Sequence, residues 1–163
     1  MKKIKLYGKN LGKFVLVDNE SFDELNNWRW QLNSNGYVSR SSCKKGKRTL
    51  EFIHHRVLSK KKGFEVDHIN RDKLDNRSCN LRYATRSQQL ANSGMRKNTI
   101  SGYKGVWRHK ETIKKWHATI VVNGEKHRLG KYETKEEAAL AYNKAAKKYF
   151  GEFAFLNNVP SIT

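Results

Sequence analysis

Residues 65–82, EVDHINRDKLDNRSCNLR, crowd acids, asparagines and a histidine into a chain otherwise dominated by cations. Asp67 and His68 are neighbours there. Histidine titrates near neutrality and can take a proton from water, and a carboxylate beside it offers a hard oxygen to Mg²⁺ or Mn²⁺. Hydrolysis of a phosphodiester needs both functions: a base for the water, and a cation for the charge that develops on phosphorus and the leaving oxygen. On a strand, adjacent side chains point to opposite sides, so the pair shares a task only where the strand end twists or a ligand reaches around its edge. Each residue also has a plain reading. An isolated Asp-His pair makes a surface turn, Asp75, Asn76 and Asn80 make local backbone hydrogen bonds in a loop, and Arg82 belongs to a basic surface unless it neutralises phosphate charge.

The whole-chain charge points the same way. In 163 residues, 34 Lys and Arg face 15 Asp and Glu, a formal net charge of +19 that calls for a polyanionic partner. A membrane surface suits it poorly, because no long apolar run occurs and the cations are interleaved with aromatics and strand-like segments. Double-stranded DNA is the expected partner. RNA shares the electrostatics and would be told apart by competition; nothing identifies a protein partner. The opening MKKIKLYGKNLGKF has no apolar stretch of signal-peptide length, so a cytoplasmic, non-secreted protein is expected, in a bacterial host cell if phage-encoded. Cys43 and Cys79 lie far apart without CxxC spacing and read as structural or free thiols.

The elements that must position the motif follow from pattern. GKFVLVDNE and NGYVSRSS read as short strands, with a turn at Asn35-Gly36 and a helical turn opening on a Ser21 to Glu24 capping box. TLEFIHHRVLSKKKG reads as a strand running into a short helix that stops near Gly63. FEVDHIN then gives a strand, DKLDNRSCN a polar loop, and ATRSQQLANSG a helix bounded by Thr85 and Gly94. RKNTIS, residues 96–101, makes a linker. Beyond it, SGYKGVWRHK supplies a strand, and Trp116, Ala118 and Ile120 alternate with His117, Thr119 and Val121 up to a hairpin turn at Asn123-Gly124. A Thr134 to Glu137 capping box opens a helix on which Ala138, Ala141, Tyr142, Ala145 and Tyr149 recur at helical spacing.

VDHINRDKLDNRSCNLRYATRSQ resembles the HNH nucleases, whose site is the ββα-metal or His-Me finger, and within them the subset common in phage homing endonucleases. The resemblance implies that His68 is the general base, Asp67 a metal ligand, and Asn80 the loop residue that pins the finger and orients the histidine. It places Gln89, nine residues after Asn80, where the family usually carries a ligating His or Asn. Glutamine keeps the amide oxygen but reaches one methylene farther; Asn92, one turn on, is the substitute ligand. This oxygen-rich set implies Mg²⁺ or Mn²⁺ and not zinc. His54 and His55 stand where the family commonly has a His-Arg pair, and read as support or phosphate contacts.

GYKGVWRH, KWHATIVVNG, HRLGKYETKEEAALAYNKAA and FGEFAFLN resemble the AP-two/ethylene-response-factor DNA-binding domain over nearly its whole length. That domain lays the open face of a three-stranded sheet in the major groove. The resemblance implies DNA-facing roles for Lys104, Trp107, His109, Thr119, Val121, Lys126 and Arg128, with Tyr142 near the DNA backbone. Where plant members commonly place arginines this chain has Trp107, His109 and Val121, so their base preference does not transfer. For Trp107 and Tyr142 core packing is the alternative.

The expectation is therefore an α+β protein. An N-terminal ββα-metal HNH nuclease domain with α+β support (1–95) is joined by a linker (96–101) to a three-stranded antiparallel sheet packed on one helix (102–157), with a short tail (158–163). The expected activity is site-directed cleavage of DNA by a metal-dependent endonuclease, nicking or cutting both strands. The alternative is a DNA-binding regulator whose HNH finger survives as a degenerate scaffold, a reading to which Gln89 lends weight.

Overall fold

The computed structural model describes residues 1–44, 46–96, 98–108 and 116–160. The chain divides into two compact units, Met1–Thr85 and Arg86–Thr163. In the first, β1 (Lys2–Lys5) pairs antiparallel with β2 (Phe14–Val17), and α1 (Asn19–Asn26) follows. Next come β3 (Gln31–Leu32), β4 (Val38–Lys44) and β5 (Lys47–Phe52), an antiparallel sheet in that order. The short helix α2 (His54–Val57) leads to a two-stranded ribbon of β6 (Glu65–His68) and β7 (Leu81–Ala84). Strand alternation sends Ile4, Val15 and Val17 into one core with Leu6, Leu25, Trp30, Val38 and Ile53. The Trp30 indole N–H donates to the Leu25 carbonyl at 2.8 Å, so the largest core side chain leaves no donor unsatisfied.

This core holds the 69–80 loop in place. Leu16 on β2 donates its N–H to the Leu74 carbonyl at 2.8 Å and accepts from the Asn76 N–H at 2.9 Å. The Asp18 carboxylate accepts from the Ser78 N–H at 2.6 Å. That bond accounts for a departure from expectation: α1 begins at Asn19, with Asp18 rather than Ser21 as its N-cap residue, and the Asp18 side chain is used on the loop instead of on its own helix. The helix after β5 ends at Val57, well short of Gly63. Three strands lay outside expectation, β1, the two-residue β3 and β7. Of β1 only Ile4 is buried among three lysines, and β7 is a four-residue LRYA with no period-two pattern to mark it.

The second unit contains α3 (Arg86–Asn92), β8 (Val106–Arg108), β9 (Trp116–Val122), β10 (Glu125–Tyr132) and α4 (Lys135–Phe150). The strands form an antiparallel sheet in the order β10-β9-β8. Asn123 and Gly124 both take positive φ, 50° and 89°, as a tight hairpin turn requires. At the start of α4 the Thr134 side chain accepts from the Glu137 N–H while the Glu137 carboxylate accepts from the Thr134 N–H. The helix buries Ala138, Ala139, Tyr142, Ala145, Ala146 and Phe150 against the sheet; Tyr149 is 43% exposed, so Phe150 closes the stripe in its place. Gly105 permits the approach of Tyr142, since a Cβ there would lie 2.1 Å from the ring. Among the described residues no helix is long and apolar enough to cross a membrane.

Candidate active site

His68 ends β6 and is 4% exposed. Its Nε2 lies 3.2 Å from Asn76 Oδ1. The Asn76 amide N–H donates to the Lys73 carbonyl at 3.0 Å, which fixes the amide with its oxygen toward the ring. In that orientation of the amide, Nε2 is the ring nitrogen that donates to Asn76. Burial pushes its pKa below the usual histidine value, against the Asn76 hydrogen bond and the charges of Asp67 and Asp72, which raise it. At neutral pH it is the neutral base.

Asn80 acts on the loop rather than on the histidine directly. Its Nδ2 donates to Asn70 Oδ1 at 2.9 Å and to the Asp75 carbonyl at 2.8 Å, and its Oδ1 accepts from the Asn70 N–H at 3.0 Å. Asp75, 2% exposed, accepts two 2.7 Å bonds from Arg77 and one of 3.0 Å from Asn70. The Arg77 hydrogen bond is the largest influence holding the Asp75 carboxyl below the usual carboxylate range. Orientation of His68 therefore falls to Asn76, which sequence reasoning left as an ordinary loop residue. Its only signal was its place beside a second asparagine-rich anchor in LDNRSCN.

Asp67, 6% exposed, pairs in register with Arg82 on β7, whose Nε donates to Asp67 Oδ2 at 3.1 Å. The Arg82 side chain is itself only 12% exposed. Its guanidinium is thus engaged with the carboxylate rather than spread on an open surface. Along β6, Asp67 accepts from Arg82 and His68 lies against Asn76.

Behind His68 stand further rings. His54 is 5.5 Å from it edge-on, stacks on Phe52 at 5.2 Å, and meets His55 at 4.4 Å; Tyr37 is 6.0 Å from His68. Burial first, then the neighbouring His55, His68 and Lys60, lower the His54 pKa to about 3. His55 is also lowered, mainly by burial. His54 is therefore a neutral ring packed against His68.

Gln89 and Asn92 lie on α3, in the second unit. Gln89 Oε1 accepts from Arg86 Nη1 at 3.1 Å, and Asn92 is 6% exposed. Lys104 donates to the carbonyls of Leu90, Ala91 and Ser93 at 3.0, 2.7 and 2.6 Å. In the structure it caps the C-terminus of α3, a contact the DNA-facing expectation did not include. Tyr142 is 3% exposed, and burial pushes its pKa to about 12, which fits the core-packing alternative. Trp107, 37% exposed, stacks on His117 at 4.5 Å with the Lys126 ammonium 5.2 Å from its ring centroid. Val121, Lys126 and Arg128 are exposed and Thr119 is half-buried. His109 lies outside the described residues.

Buried His68, its Asn76 partner and the Asp67 carboxylate fall in the stretch matched by the family model for HNH endonucleases, residues 53–91. An uncharacterised HNH endonuclease of Acanthamoeba polyphaga mimivirus is 35% identical over 157 residues, covering 94% of this chain and 80% of that protein. The chain belongs to the HNH endonuclease family. A second similarity is partial: the dehydration-responsive element-binding protein 2E of Oryza sativa is 44% identical over 62 residues, 37% of this chain and 19% of that protein. A structure titled as DNA binding and cleavage by the HNH homing endonuclease I-HmuI aligns over 76% of this chain and 67% of that one, at 22% identity and a TM-score of 0.36.

Proposed function

We propose that the protein is a site-directed DNA endonuclease that hydrolyses phosphodiester bonds. The observation that carries this reading is the neutral, buried His68, clamped through Nε2 by Asn76 beside the Asp67 carboxylate, within a chain of the HNH family. His68 takes the proton of the attacking water. Asn76 supports the charged imidazolium that forms, and Asn80 keeps Asn76 in place by fastening the loop. Asp67 supplies the hard oxygen for a divalent cation.

A bound Mg²⁺ or Mn²⁺ would stabilise charge on phosphorus and the leaving oxygen. Among the described residues no group of three or more His, Cys, Asp or Glu side chains is placed to hold a metal ion. A single carboxylate such as Asp67 suits a magnesium-type ion that keeps several waters and takes other ligands from phosphate; the resemblance names Gln89 and Asn92 as amide-oxygen candidates. The second unit, by its similarity to an AP-two/ethylene-response-factor domain, would grip the duplex through Trp107, Thr119, Val121, Lys126 and Arg128. A covalently joined grip raises the effective concentration of the nuclease at its site.

A DNA-binding regulator with a degenerate finger is the second reading, favoured by Gln89 in place of a His or Asn. Incubation of supercoiled and linear duplex with Mg²⁺, Mn²⁺ or EDTA decides between them. The endonuclease cuts with metal, leaves 5′-phosphate and 3′-hydroxyl ends that ligase reseals, and gains activity in Gln89→Asn. Tight binding without scission in any metal, unrescued by Gln89→Asn, would establish the regulator.

A further inference from the structure

We infer that the open face of the C-terminal sheet selects thymine through Val121, by contact with the C5-methyl group in the major groove. This rests on the reading that the face takes duplex DNA. Along β9, Ala118 and Ile120 are 0% and 2% exposed, turned to α4, while Val121 is 54% exposed on the other face. A valine offers a base no hydrogen bond. Its surroundings are the opposite of apolar: Lys126 is its cross-strand partner, and Thr119, two residues back on the same face, is paired with Arg128. Glu125, the one acid in these three strands, sits at the hairpin end with the opposite parity to Lys126 and Arg128.

The face therefore carries cations for phosphates on β10 and an uncovered branched apolar group beside them on β9. In the major groove each base pair shows a distinct edge, and thymine alone adds a methyl group. Exposed valine against that methyl removes apolar surface from water on both sides; against the amino group of cytosine or adenine it strips a donor of water without replacing the bond. Thr119, whose side chain carries its own methyl, stands about 6.7 Å along the strand, two residues of strand rise. Trp107 stacked on His117 continues the face without a flexible polar reader.

The test begins with selection of bound sequences from a randomised duplex pool by the full-length protein in EDTA, which permits binding without cutting. Enriched sites are then resynthesised with each thymine in turn replaced by uracil, which lacks only the methyl. At one or two positions uracil is expected to weaken binding about fourfold, the worth of one buried methyl. Val121→Ala, at an exposed position and checked for unchanged circular dichroism, is expected to lose that discrimination. Enriched sites that bind equally with uracil at every position, or discrimination that survives Val121→Ala, would overturn the inference while leaving DNA binding intact. Failure of the pool to enrich would overturn both this inference and the DNA-gripping role of the sheet.

Discussion

Acid should loosen the first unit through His54. With a folded pKa of about 3 against 6.5 for an unperturbed histidine, the unfolded chain binds this proton far more readily than the folded one. Its contribution is thus fully present above pH 6.5 and is lost as the pH falls from there toward the folded value. At 1.36 kcal/mol per unit the limiting loss is about 5 kcal/mol, and at pH 5 it is about 2 kcal/mol relative to neutral pH. His55 and His68, both lowered by burial, add with the same sign. Asp75, also lowered, acts in a separate window below its usual range, so the interval from about pH 7.5 to 5 reports the histidines. Urea unfolding in EDTA, followed by the fluorescence of fully buried Trp30 and the other tryptophans, should show stability falling across that interval. His54→Gln, which cannot titrate, should flatten the slope even if the variant is less stable overall. A wild-type stability that stays flat across the interval, or a slope unchanged in His54→Gln, would refute the assignment of His54 as a buried neutral ring.

Three further outcomes follow from the same contacts. Asn76→Ala should lower the cleavage rate about 10- to 100-fold, as loss of an orienting partner does, with duplex binding in gel shifts retained. Arg82→Met removes the Arg82 bond to the buried Asp67 carboxylate and should destabilise the protein in EDTA by about 1–3 kcal/mol, read by urea unfolding, with part recovered on adding Mg²⁺. Lys104→Met removes three bonds to the end of α3 and should cost about 1–3 kcal/mol in thermal unfolding, while duplex affinity falls little.

Much of the site was legible because its chemistry is local in sequence. Asp67 and His68 are adjacent, and Asn80 falls within the same loop. What stayed hidden depends on contacts that no spacing encodes. Asn76 becomes the partner of His68 because β2 grips the loop through Leu16, sixty residues upstream of Asn76. Arg82 becomes the partner of Asp67 because β7 pairs with β6, and LRYA carries no strand signature of its own. In the second unit the Asn123-Gly124 turn and the Thr134 capping box could be read directly, since each is set by residues a few positions apart. Tyr142 and Lys104 could not. A tyrosine at helical spacing and a lysine after a tyrosine look alike whether they face solvent, DNA or their own core; Gly105 and the carbonyls of α3 decide it.

The most direct test is cleavage of supercoiled DNA by the wild-type protein and His68→Ala, each with Mg²⁺ and with EDTA, both proteins giving the same circular dichroism. Scission that requires the metal and disappears in His68→Ala is the predicted result. Scission of equal rate in His68→Ala, or in EDTA, would contradict the assignment of the buried imidazole as the base of a metal-dependent nuclease.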